Sequence, residues 1–130
     1  MSKFLTELEI KLRPDCDGIY ILLAPLVYYS SKLKREIYIP DGLQTDFASV
    51  PRVPIIYERF GNKAHREAVL HDYSFRIDSD PVVSFMVANG LFLEAMECRG
   101  KSFDVRYGMY AGVVIGGYPS YHKRRVMDVL

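Results

Sequence analysis

Two Val-Pro pairs, Val50-Pro51 and Val53-Pro54, divide the chain into halves with different hydrophobic periods. A proline disfavours the α conformation in the residue before it, so no helix can run through this stretch. Whatever the chain folds into must therefore change its secondary structure near the middle.

The first half reads as β. Phe4, Leu5, Leu8, Ile10 and Leu12 form a broken alternation, and Pro14-Asp15-Cys16-Asp17-Gly18 is a turn composition. Ile19-Tyr20-Ile21-Leu22-Leu23 is β-branched and aromatic, as a buried strand requires. Pro25 interrupts it, Leu26-Val27-Tyr28-Tyr29 resumes, and Glu36-Ile37-Tyr38-Ile39 supplies another strand before the Pro40-Asp41-Gly42 turn. Leu43 to Pro54 reads as loop, and Ile55 to Phe60 as a short helical turn. The second half is helical in pattern. Helices are expected over about Lys63–Arg76, Pro81–Cys98 and Ser102–Ile115. In the second of these, Val82, Phe85, Met86, Leu93 and Met96 are the expected buried stripe, with Gly100 at the C′ position. The expected fold class is α+β: an N-terminal antiparallel sheet of three or four short strands, followed by about three helices packed on it. At 130 residues, the span 1–130 is expected to form a single domain.

Composition excludes several classes. Hydrophobic residues make up 49% and charged residues 25%, which are globular values. A net charge of +1 provides no field to attract nucleic acid, so no specific nucleic-acid binding is expected. The basic run His122-Lys123-Arg124-Arg125 reads as a solvated end. Two distant cysteines, Cys16 and Cys98, give neither a zinc spacing nor a disulfide framework, which suits a reduced compartment. The longest apolar runs, 19–29 and 109–118, fall short of the ~20 residues of a transmembrane helix. Tyr107, Tyr110, Tyr118 and Tyr121 read as a packing and surface stripe rather than a platform for bases.

Chemistry concentrates in two segments, Thr45-Asp46-Phe47-Ala48-Ser49-Val50-Pro51-Arg52 and Ala64 to Tyr73. On a helix, Ala68, His71, Asp72 and Phe75 share a face, with His65 further along on the Asp72 side. His71 lies among Val69 and Leu70, where burial favours the neutral imidazole, which can serve as a base or a metal ligand. His71 and Asp72 are the candidate catalytic pair. Asp46, His65, His71 and Asp72 form a candidate mixed oxygen and nitrogen set for a divalent metal, although the six-residue spacing of the histidines does not put both on one face. No cofactor is fixed by the sequence. The competing reading is structural: Asp46 caps a turn, His71 is a satisfied core histidine and Asp72 pairs with an arginine. Ser49 and Arg52 join Asp46 as structural or orienting candidates. No serine-hydrolase elbow surrounds Ser49, and no glycine-rich phosphate loop is present.

The ordered blocks Ile39-Pro40-Asp41-Gly42, Thr45 to Arg52, His65 to Asp72 and Phe92-Leu93-Glu94-Ala95-Met96 resemble the phage and prophage family known as domain of unknown function 1353. The likeness covers roughly residues 20 to 118. It implies a bacteriophage or prophage origin, and a location in the host cytoplasm during assembly or in the virion. It supplies no activity. A second likeness is local. His71-Asp72-Tyr73-Ser74-Phe75 resembles the His-Asp-x-x-aromatic helix of secreted-type phospholipases, where the histidine activates water, the next aspartate holds calcium and a second acid on a neighbouring helix orients the histidine. The position expected to carry that acid, just before the Phe92 block, is Asn89, and no glycine-rich calcium loop is present. An amide can hold an imidazole tautomer but cannot stabilise an imidazolium as a carboxylate does.

The expectation is a non-enzymatic virion or virion-associated assembly component whose partners are other phage proteins or further copies of itself. The alternatives are a metal-dependent hydrolase acting on host lipid or peptidoglycan, and an inhibitor of host defence.

Overall fold

A computed structural model describes residues 1–46 and 65–130. The fold is α+β. Six short strands precede the helices: β1 Lys3–Phe4, β2 Ile10–Leu12, β3 Tyr20–Leu22, β4 Leu26–Ser30, β5 Arg35–Ile39 and β6 Gln44–Thr45. They divide between two three-stranded antiparallel sheets, ordered β1-β4-β5 and β2-β3-β6, rather than forming one. The broken alternation at the N-terminus is the reason. It is two strands, and each pairs into a different sheet. β6 lies in the stretch expected to be loop. The Gly42 turn returns the chain along β3, with Gly42 N–H donating to Leu22 O at 2.7 Å and Leu22 N–H to Leu43 O at 2.9 Å. Gly42 takes φ +87, a left-handed conformation in which a Cβ would be strained.

β4 and β5 form a hairpin with Leu26 opposite Ile39 and Tyr28 opposite Ile37. These four side chains are buried, and the residues between them are more exposed, as the two-residue period of a strand dictates. Their apolar face meets Val69, Leu70 and Tyr73 of α1 (His65–Ser74) and Leu91 and Ala95 of α2 (Phe85–Cys98) in one core cluster. A second cluster joins Ala68 of α1, Phe92 and Met96 of α2, and Val105, Met109 and Val113 of α3 (Phe103–Gly116). α1 feeds both clusters, so seven of its ten residues are buried.

The helix ends follow local chemistry. α2 begins at Phe85, later than the expected Pro81, because Ser84 is the N-cap and accepts from Val87 N–H at 3.2 Å. Val82 and Met86 consequently leave the predicted stripe and are 62% and 51% exposed. The buried face is Ala88, Asn89, Leu91, Phe92, Ala95 and Met96. At the other end, Gly100 (φ +75) donates to Glu97 O and Lys101 to Met96 O, both at 3.0 Å, closing a Schellman turn. Within the Phe92 to Met96 block, Glu94 accepts from Tyr28 OH at 2.6 Å and Lys32 N–H at 3.0 Å, tying α2 to the hairpin.

Arg76 joins the remaining parts. Its guanidinium is 1% exposed and donates to Asp72 Oδ2 at 3.0 Å, Gln44 O at 2.8 Å and Arg125 O at 2.8 Å. β6, the end of α1 and the C-terminal segment thus meet at one buried cation. Arg76→Met keeps the stem but leaves Asp72 and two carbonyls uncompensated. It is expected to lower stability by about 3 kcal/mol, read as a shift in the urea midpoint.

Candidate functional site

His71 sits in the middle of α1, inside the protein, at 1% exposure. Val69 and Leu70 face the sheets, Ala68 faces α3, and the imidazole points at α2. Its Nε2 lies 2.7 Å from Oδ1 of Asn89, itself fully buried. A carbonyl oxygen only accepts, so Nε2 carries the proton. Phe75 and Phe92 wall the ring, with centroids at 4.2 Å and 5.0 Å. From Phe75 an aromatic ladder runs through Phe85 at 5.8 Å and Tyr121 at 5.5 Å to exposed Tyr118. Burial pushes the His71 imidazolium down to a pKa of about 4, and the Asn89 bond only partly opposes this. Asn89 Nδ2 is buried without a partner among the described residues.

Asp72 is the next residue, turned by about 100° around the helix axis. It faces Arg76, four residues on, and not the imidazole. The candidate catalytic pair is thereby split between two environments. The aspartate is a salt-bridge partner, and the histidine is a neutral core group.

Of the candidate metal ligands, the two histidines stand on different turns of α1. His65 stands exposed at the start of α1, six residues and about 9 Å of helix rise from His71. His71 faces Asn89 and Asp72 faces Arg76. Among the described residues, no group of three or more His, Cys, Asp or Glu side chains could hold a metal ion. Asp46 follows β6 at the edge of the described residues, while Ser49 and Arg52 lie outside them. Asn89 is the one of these candidates that contacts His71 among the described residues. Two residues were not singled out from the sequence. Arg76 anchors Asp72. Glu67, one turn before His71, is 1% exposed and accepts from Arg99 Nε at 3.2 Å. The signal for Glu67 was its i, i+4 relation to His71 within the apolar run Ala68-Val69-Leu70.

The family model described as Protein of unknown function (DUF1353) matches residues 20–113, from β3 to near the end of α3. Neither the curated proteins nor the solved structures yield a match. No helix among the described residues is long and apolar enough to cross a membrane.

The buried imidazole makes stability depend on pH. The unfolded histidine takes up a proton near its ordinary value of 6.5, whereas the folded one does so only near 4. Between these values the unfolded chain binds more protons, so stability is full above about pH 6.5 and is lost as pH falls toward 4. The loss is about 3 kcal/mol from this group. In NMR titrations, the His71 ring carbon shifts should stay flat above pH 5. A midpoint near 6.5 would contradict the buried neutral ring.

Proposed function

The chain belongs to this family of proteins of unknown function, and we propose that it is a bacteriophage-encoded, non-enzymatic protein serving as a virion structural or virion-associated assembly component. The observation that carries this reading is the amide facing His71. A histidine that activates water must receive a proton, and it needs a carboxylate to stabilise the imidazolium that results. Among the described residues the group facing His71 Nε2 is an amide, and burial holds the ring's pKa near 4, so protonation is disfavoured. The neighbouring Asp72 is committed to Arg76. The pair acts as a brace between α1 and α2. The resemblance of the Thr45 to Arg52, His65 to Asp72 and Phe92 to Met96 blocks to a phage and prophage family supports the phage origin. Exposed Phe103, Tyr107, Ile115 and Tyr118 on and beside α3 supply apolar surface suited to neighbouring subunits.

The purified protein should release no product from phospholipid vesicles or peptidoglycan, with or without added calcium, manganese or zinc. Particles of the phage carrying this gene should contain the chain at a fixed copy number by mass spectrometry. Turnover abolished by His71→Ala would replace this reading with a hydrolase, and absence from particles would remove the virion role. Asn89→Asp puts a carboxylate opposite His71 Nε2. It should raise the His71 pKa by one unit or more by NMR, and an unmoved value would show that the amide does not set the ring's protonation.

A further inference from the structure

A cavity of about 630 Å³ opens where the start of α1 meets the turn between α2 and α3. Three cationic side chains line it, Arg66, Arg99 and Lys101, together with Ser102 and the apolar Leu8 and Val105. Against one lining acid, Glu67, the three cations leave the lining at +2, while the whole chain carries +1.

The cations are held in different ways. Glu67 is buried at the cavity wall, and its carboxylate takes the Nε edge of Arg99 at 3.2 Å. A guanidinium has five N–H donors, so four remain on the outer nitrogens. Glu67 is the one partner of Arg99 among the described residues, and the Arg99 side chain is 39% exposed. Among the described residues, the Arg66 side chain pairs with the exposed carboxylate of Glu7, a surface pair that water or a ligand can replace. No carboxylate pairs with Lys101 among the described residues. Its position is set by the Schellman turn at Gly100. Immediately after it, the fourteen-residue α3 begins at Ser102, whose hydroxyl turns to Asp104 Oδ1 at 2.6 Å instead of capping the backbone. Ser102 therefore does not cap the first-turn N–H groups of α3 beside the cavity. Of the acids nearby, Glu67 is spent on Arg99, Asp104 on Ser102, and Glu7 lies at the solvent edge.

We propose that this cavity binds a phosphorylated ligand. Arg66, Arg99 and Lys101 hold the phosphate beside the start of α3, and its organic part lies against Leu8 and Val105. A planar guanidinium fixed along one edge presents the other to two phosphate oxygens, and a helix start adds favourable dipoles. The cavity is far larger than one phosphate, so the anion is a handle on something bigger. Glu67 is a positioning residue here, since it aims Arg99 without reaching the ligand.

The test uses the full chain with inorganic phosphate and glycerol 3-phosphate by calorimetry and ligand-observed ³¹P NMR, against sodium chloride at matched ionic strength. Saturable binding is expected, tighter for the ester. Lys101→Ala, on a surface turn, should weaken it roughly tenfold, the scale of one charge-assisted hydrogen bond. Arg99→Ala combined with Glu67→Gln removes the second cation without stranding a buried carboxylate, and should weaken binding at least as much. Co-sedimentation with phosphatidylcholine vesicles containing phosphatidic acid, lost in Lys101→Ala, would place the phosphate on a lipid headgroup. Binding of the soluble ester alone would place it on a free small molecule. No saturable binding of either soluble probe, or binding that Lys101→Ala leaves unchanged, would overturn the proposal.

Discussion

A polar group buried on a central helix must find its partner inside the protein, or the helix cannot stay buried. α1 meets this constraint at successive turns. Glu67 reaches Arg99 just beyond α2, His71 reaches Asn89 in the middle of α2, and Asp72 reaches Arg76, which in turn holds β6 and the C-terminal segment. Apolar contacts alone would let α1 rotate or slide between the two core clusters. The three polar links fix its register, because each has one partner that matches in position and hydrogen-bonding capacity.

The same arrangement decides what α1 can do chemically. Neighbouring residues on a helix point about 100° apart. His71 and Asp72 therefore look into different surroundings. Phe75 and Phe92 close over the imidazole, and the guanidinium of Arg76 takes the carboxylate. At Glu67 the balance differs. The carboxylate is buried, but its partner Arg99 stays partly in solvent, and the cations around it face an open cavity. Buried charge braces the protein at one end of the helix and orients an exposed cation at the other.

Much of the architecture was legible. The β4–β5 hairpin follows from the alternation in Leu26 to Tyr29 and Glu36 to Ile39, and the end of α2 from Gly100. The start of α2 was misplaced because Pro81 and Ser84 both suit a helix entrance, and only the Ser84 hydroxyl makes the capping bond. That four-residue difference turned Val82 and Met86 outward. At the site, Asn89 was found through its place before the Phe92 block. The spacing of His65 and His71 already signalled that the two rings do not share one helix face.

The sequence by itself determined which residues of the β4–β5 hairpin alternate and where α2 ends. These follow from glycine and side-chain periodicity, which act over a few residues. Tertiary structure alone decided that β1 and β2 enter different sheets, that Arg76 gathers three segments, and that Glu67 and Arg99 meet at a cavity. Those outcomes join residues up to 49 positions apart. They depend on which buried charge finds which partner, and no local pattern encodes that choice.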